Sequence, residues 1–450
     1  MKRTPDPCTG IARSPLALGL AALFALPLAP AVAGDGGQTL VVTSCADDGS
    51  LGTLRSALAL AGSNDTVDLT ELQCSRITLE QGALSNYAGT IRLEGPGRDR
   101  LTIDGNHGDR VFDVSGPVTF VGLAITGGHV EADIASGGCI LAFGGVALID
   151  TDVTDCSVHG IRAASGGAIE TQYFVTMVSS TVSGNSAISD GANATGGGIA
   201  VYYGGFRAET SSVSDNAAGT GGQSRGGGFF ADRGTYLIRS TVDGNTADLG
   251  GGFYRDDGPF DDGQSRINDS TISGNVAAVS GGGGFVHRQN KLEIFGSTIA
   301  SNTAVAGDCG GILFVSDGAG GDPSRVVDLR SSIIANNSAP ASALAPDIDA
   351  PPGDPAEAIG ANNLLTSIGS LVPDSYLTDD PMLAPLAANG GPTRTRALLA
   401  GSPAIDQGAD VTGLGVDQRG RARVAGLAAD IGAFEAQPDA MFLDGFDGID

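Results

Sequence analysis

The sequence predicts an all-β chain wound as a right-handed parallel β-helix, with an N-terminal helical cap and a C-terminal cap domain. Three observations carry this. The phrase Ser-Thr-Val-Ser-Gly-Asn ending at Asn185 returns, slightly edited, at Asn216, Asn245, Asn275 and Asn302, with spacings of 31, 29, 30 and 27 residues. A second phrase, Gly-Gly followed by a small and then an apolar residue, keeps step with the first from Gly137, Gly166, Gly196, Gly226, Gly250 and Gly282, with Gly-Gly-Ile-Leu at Gly310. Glycine supplies 71 of 450 residues and Trp none. Helical repeats of similar length tolerate little glycine, and clustered glycines do not fit the every-third-residue rule of collagen.

Residues 1–33 carry Lys2, Arg3 and Arg13, an apolar run from Leu16 to Leu28 and then Ala31-Val32-Ala33. This is the pattern of a secretory signal cleaved after Ala33; the apolar run falls short of the ~20 residues a membrane span needs. Removing it takes away three bases and one acid, so the formal charge goes from −26 to −28. Export permits disulfides. Residues 34–95 read as an N-terminal cap and first coil: a strand at Thr39–Ser44, then a helix over Leu51–Gly62 with Leu54, Leu58 and Ala61 on one face, covering the open end of the stack. Cys45 and Cys74 flank this unit and pair; the state of Cys139, Cys156 and Cys309 is left open.

Residues 96–345 are the repeats, about 30 residues per coil. Read with period 2, Ser180 and Val182 share one face, as do their counterparts in the other copies, so Val182, Val213, Val242, Ile272 and Ile299 stack in the core. Asn185, Asn216, Asn245, Asn275 and Asn302 form a hydrogen-bonded ladder at one corner. A looser copy places Asn336 next. The glycine runs are tight bends that feed Ile199, Phe229, Phe253 and Phe285 inward.

The paired phrases resemble the repeats of bacterial secreted right-handed β-helix proteins and, more distantly, polymorphic outer membrane proteins. The segment 39–95 is similar in part to CSLREA-type N-terminal regions, with Gly52-Thr53-Leu54-Arg55-Ser56-Ala57-Leu58 standing at the signature. Residues 346–437 contain Asn389-Gly390-Gly391-Pro392-Thr393, Gly401-Ser402-Pro403-Ala404-Ile405-Asp406, Asp417-Gln418-Arg419-Gly420 and Asp430-Ile431-Gly432-Ala433-Phe434-Glu435. They resemble the choice-of-anchor Q domain, which implies a secreted or cell-surface protein, here outside a Gram-negative cell, whose cap precedes a sorting signal. The tail 438–450 matches no familiar sorting signal.

The acidic balance excludes nucleic acid and anionic lipid as partners. The reading is a monomeric, non-enzymatic scaffold for adhesion or for contact with an extracellular glycan, matrix or host surface, without a resident cofactor. The alternative is a Ca²⁺-dependent polysaccharide lyase or glycoside hydrolase; carboxylates and a Lys or Arg converging across neighbouring coils would favour it. The local candidate is a loop holding Arg255, Asp256, Asp257, Asp261, Asp262 and Arg266, with Asp232 and Arg233 one coil away. Asp256, Asp257, Asp261 and Asp262 form a weak Ca²⁺ site there, weighed against a hydrated acidic loop. In the C-terminal domain Asp406, Asp417, Arg419, Arg423, Asp430 and Glu435 read as structural ion pairs. The four histidines, His107, His129, His159 and His287, are scattered and read as lone residues.

Overall fold

The computed structural model describes residues 37–437 except 192, 220–222, 257–263, 288–290, 316–325 and 341–343; the expected signal with its Ala33 site and the tail 438–450 lie outside the described residues. The chain is a parallel β-helix. Its coils feed four parallel sheets of twelve, twelve, eight and ten strands. A representative coil passes from Val175–Val178 in the first sheet through Thr181–Ser183 in the second and Ser186–Ser189 in the third to Ile199–Val201 in the fourth.

Strand alternation decides which side chains enter the core. In the second sheet Ile77, Ile103, Ile125, Val153, Val182, Val213, Val242, Ile272, Ile299 and Ile334 align residue for residue and are buried. The fourth sheet answers with Ile140, Ile169, Ile199, Phe229 and Phe253 in one column. Burying each such side chain contributes about 1.5–3 kcal/mol. The next place in that column belongs to Gly284 rather than Phe285. The Phe253 ring fills the space, since a Cβ on Gly284 would lie 2.3 Å from it. Phe285 instead faces outward, stacked on Tyr254 at 5.0 Å.

Two corners of each coil share one construction: a residue with left-handed backbone, then an inward polar side chain. At the first, Ser179, Thr210, Arg239 and Asp269 have φ of 49°, 47°, 49° and 44° and precede Ser180, Ser211, Ser240 and Ser270. At the second, Gly184, Asp215, Gly244, Gly274, Ser301 and Asn336 have φ between 55° and 68°. A left-handed L-residue is disfavoured by roughly 1–2 kcal/mol, so the polar residue that follows must supply compensating bonds. The N–H groups of Ser180, Ser211, Ser240 and Ser270 donate to the hydroxyl of the next copy at 3.1–3.2 Å.

At the second corner each asparagine Nδ2 donates to the Oδ1 of the next: Asn185 to Asn216 at 2.8 Å, Asn216 to Asn245 at 3.0 Å, Asn245 to Asn275 and Asn275 to Asn302 at 2.9 Å. Each Oδ1 also accepts the backbone N–H of the preceding asparagine. The column continues through Asn337, not Asn336, and ends on the buried carboxylate of Asp347 at 2.9 Å. Ser332, not Ser331, holds the phrase's serine place there, which leaves Asn336 in the left-handed position.

The glycine immediately before each fourth-sheet strand is the asparagine's packing partner. A Cβ on Gly198, Gly228, Gly252 or Gly283 would lie 2.9, 3.1, 3.1 or 3.2 Å from the Cγ of Asn216, Asn245, Asn275 or Asn302. Two coils earlier than Asn216, Cys156 takes the ladder place, its N–H donating to Asn185 Oδ1 at 2.9 Å. Cys139 takes the glycine place, and the two are joined by a disulfide. Cys45 and Cys74 form a second disulfide, while Cys309 is a buried thiol.

The N-terminal helix spans Leu54–Leu60, capped by the Thr53 hydroxyl and burying Leu54, Ala57 and Leu58. Asn86 Nδ2 ties it to the first coils by donating to Leu58 O at 2.8 Å and Ala61 O at 2.9 Å. At the other end, residues 380–437 run back along the outer face of the second sheet. Gln418 accepts from the Thr271 hydroxyl at 2.6 Å and donates to Thr241 Oγ1 at 2.9 Å. Arg396 Nε donates to Ser273 Oγ at 2.7 Å, and the Ala433 N–H to Thr298 Oγ1 at 3.0 Å. Thr241, Thr271 and Thr298 are therefore buried, whereas Thr181 and Ser212 at the same strand position are half-buried.

Because the Cys139–Cys156 bond occupies a glycine–asparagine place, Cys139→Gly with Cys156→Asn should extend the ladder by one rung. Urea denaturation is expected to put this double variant within about 1 kcal/mol of the parent, and Cys139→Ser with Cys156→Ser about 3 kcal/mol below it.

Candidate functional site

The residues grouped in one acidic loop by sequence are distributed by the fold. Arg255 ends a strand of the fourth sheet, aligned with Ala231 and Val286, and its side chain is directed inward and fully buried. Arg266 lies in the first sheet, within Gln264–Asn268. Asp256 pairs with His287 Nδ1 at 2.9 Å, so His287 is not a lone residue. Nor are His129, 2.8 Å from Ser157 Oγ, and His159, 3.1 Å from Asp190; His107 lies 3.5 Å from the Asp155 carboxylate. Asp257, Asp261 and Asp262 lie outside the described residues. Among the described residues no group of three or more His, Cys, Asp or Glu is placed to hold a metal ion. Asp232 directly follows Ala231, so it shares a coil position with Asp256 and His287; burial pushes its carboxyl up, and it accepts the Tyr203 N–H at 3.1 Å.

The charged residues of the C-terminal segment staple turns. Asp417 accepts the N–H groups of Arg419, Arg421 and Glu435 at 2.9–3.1 Å and pairs with the Arg419 guanidinium. Glu435 accepts from Ala425 and Asp430 at 2.9 Å, Asp430 from Asp406 and Ala436, and Asp406 from Leu427 and Ala428. Arg419 also lies over the Phe434 ring, 3.6 Å from its centroid. Every carboxylate in this group is held by backbone donors, an arrangement that fixes loops.

The outer face of the first sheet carries the exposed chemistry. Its strands Phe206–Glu209, Thr235–Ile238, Gln264–Asn268, Lys291–Phe295 and Val326–Arg330 place Arg207, Tyr236, Arg266, Glu293 and Asp328 in one column. Glu209, Ile238, Asn268, Phe295 and Arg330 form the next column. Glu209 lies 3.2 Å from Arg207 and 3.3 Å from Arg239; Glu293 binds Arg266 and Lys291; Asp328 holds Arg330 through two bonds of 2.8 and 2.9 Å. Burial alone would raise the Glu293 carboxyl, but Lys291 and Arg266 hold it below its ordinary value. The cations stand outside the carboxylates: the Arg330 side chain is 48% exposed against 4% for Asp328, and Arg266 39% against 10% for Glu293. Both guanidinium groups flank the Phe295 ring, at 5.9 Å for Arg266 and 5.4 Å for Arg330. In these five strands and the Arg239 corner five cations meet three carboxylates, and Glu357 lies on the next strand beside Val326.

Sequence reasoning reached Arg266 and missed the rest of this face. The signal was available. Arg207, Arg266, Glu293 and Asp328 each stand four residues before the ladder serine of their coil, and Glu209, Phe295 and Arg330 two before.

No family model and no curated protein matches the chain. Among solved structures it is similar to pectate lyase Pel9A, at 14% identity and a TM-score of 0.46, over 90% of this chain and 98% of that one. It is also similar to the PL6 family alginate lyase AlyGC, at 10% identity and a TM-score of 0.28, over 77% of this chain and 54% of that one. Neither likeness bears on what this chain binds.

Two buried carboxylates under the C-terminal segment make its docking sensitive to pH. Asp269 lies 3.7 Å from Arg423, yet burial outweighs that cation and pushes its carboxyl up to about 6 from 3.8. Burial does the same to Asp243 against the pull of Arg394. Between the unfolded and folded values the folded chain holds the extra proton, so this contribution is greatest below about pH 4 and is lost as pH rises through 6. Thermal melts of the parent and Asp269→Asn should therefore differ by a stability gap that shifts by on the order of 1–3 kcal/mol in the variant's favour between pH 4 and pH 7.

Proposed function

We propose that this protein is an exported scaffold that binds an extracellular anionic glycan along the outer face of its first sheet, without cleaving it. The carrying observation is the Arg266–Phe295–Arg330 cluster. Two guanidinium groups suited to carboxylate or sulfate groups flank an aromatic ring, one from the coil before it and one from the coil after. The carboxylates on this face do meet cations across neighbouring coils, the arrangement set out above as favouring an enzyme. Each is already engaged in an ion pair, which supports binding over acid–base chemistry. Export is supported by two disulfides, and no helix among the described residues is long and apolar enough to cross a membrane. The resemblance of residues 346–437 to a choice-of-anchor Q domain supports a cell-surface destination.

A second reading, a polysaccharide-cleaving enzyme, is favoured by one observation: Asp232, Asp256 and His287 follow aligned strands and occupy one position in successive coils. One experiment separates the two. Calorimetric titration of the exported protein with polygalacturonate is expected to show salt-sensitive binding, weakened about tenfold or more by Arg266→Ala with Arg330→Ala, with no new chain ends released. Equal affinity in the double variant contradicts the binding reading, and release of new ends abolished by His287→Ala establishes the second.

A further inference from the structure

The corner between the fourth and first sheets carries a different chemistry in the coils that lead up to the arginine face. The strands Ile140–Ala142, Ile169–Thr171 and Ile199–Val201 lie in register, and so do Val146–Ile149, Val175–Val178 and Phe206–Glu209. The linking segments 143–145, 172–174 and 202–205 are therefore stacked corners of three successive coils. They hold Phe143, Tyr173, Phe174 and Tyr203, exposed by 47%, 51%, 56% and 59%. None of these four rings stacks on another aromatic ring among the described residues. Their exposure is not spillover from the core, because the neighbouring outward staircase of Phe230, Tyr254 and Phe285 is buried.

Glycines neighbour these rings in the stacked corners. Gly144 and Gly145 lie on one side of the Tyr173-Phe174 pair, and Gly204 and Gly205 on the other. A Cβ on Gly204 would lie 1.2 Å from the Tyr173 carbonyl oxygen, and one on Gly145 3.3 Å from that of Phe174. A Cβ at Gly204 would collide with that backbone, so no side chain rises beside Tyr173 from this place. The backbone beneath is fixed: the Phe143 N–H donates to Val114 O at 3.1 Å, Tyr202 to Thr171 O at 2.9 Å, and Tyr203 to Asp232 Oδ2 at 3.1 Å.

We infer that this aromatic shelf is a stacking site for pyranose rings of a neutral or weakly charged glycan. Flat, exposed aromatic rings on a rigid base suit the C–H faces of sugars, and tyrosine adds a hydroxyl at the rim. Successive coils advance by about 4.8 Å, comparable to the length of one sugar unit, so rings on neighbouring corners meet neighbouring units. Nucleic-acid bases, the other common ligand of such shelves, are repelled by the net charge of −26. The shelf also runs into the arginine face, because Arg207 stands two residues past the third of these corners. The inference rests on the reading of the chain as a glycan-binding scaffold, but the site and its ligand chemistry are separate from Arg266 and Arg330.

The test titrates the full exported chain with cellohexaose, mannohexaose and hexagalacturonate, by calorimetry and by tyrosine emission, which is unobscured because the chain has no Trp. The parent is expected to bind at least one neutral hexasaccharide with an affinity indifferent to salt. Tyr173→Ala with Phe174→Ala should weaken that binding about tenfold or more with unchanged thermal stability, while Tyr173→Phe retains it. Arg266→Ala with Arg330→Ala should leave neutral binding intact and affect only hexagalacturonate, so failure of the arginine face and failure of the shelf give different results. Neutral binding within about twofold of the parent in the Tyr173 and Phe174 double variant overturns the inference. So does a parent that binds neither neutral sugar, or a parent dimer that dissociates on the same substitutions, which would make a second copy the occupant.

Discussion

An asparagine amide buried inside a β-helix has two donors and an acceptor to satisfy where no water reaches, and here the partner is another asparagine one coil away. From Asn216 to Asn337 each Oδ1 accepts both the backbone and the side-chain N–H of the asparagine before it, and the last amide closes on Asp347. A coil that slipped by one residue would break two of these bonds at once and turn its inward valine or isoleucine outward. The same column explains two other features. The residue before each asparagine adopts left-handed backbone, and the glycine immediately before the fourth-sheet strand must leave room for the amide.

A stack with register fixed in this way turns the outward positions of successive coils into straight rows. Different rows carry different chemistry. The second sheet's row is threonine and serine and receives the C-terminal segment through hydroxyl-to-amide bonds. The first sheet's rows combine guanidinium groups with Phe295. The corner before it presents rings over glycine. The C-terminal segment occupies the second sheet's flank, and its own carboxylates are consumed in holding its turns.

The repeat was legible because each ladder position is a single residue type at a nearly fixed spacing, so Asn185 to Asn302 and the valine–isoleucine column follow from counting. Counting failed where a neighbour substitutes for the expected contact. Gly284 displaces Phe285 because the Phe253 ring already fills that layer, and Asn337 displaces Asn336 because Ser332 rather than Ser331 takes the serine place, with the asparagine five residues after it as in every other copy. The Cys139–Cys156 bond was hidden for a related reason: neither cysteine looks paired until both are set in register with a glycine and an asparagine. The arginine face was written at fixed offsets before the serines, but its members alternate between Arg, Glu, Asp and Phe, and no single letter repeats. The aromatic corner lies in links of unequal length, 143–145 against 202–205, where sequence period gives no alignment.

If the asparagine column sets the register of the coils, its loss at one rung must be felt on both sides. The direct measurement is native-state hydrogen exchange, read by mass spectrometry, on the parent and on Asn245→Ala. That substitution strips the Asn216 N–H and the Val213 carbonyl of buried partners, a loss of about 3 kcal/mol. The account predicts that protection falls together across the coils bearing Asn185, Asn216, Asn275 and Asn302, while the N-terminal helix at Leu54–Leu60 keeps its own. Loss of protection confined to the mutated coil, or none at all, would contradict it.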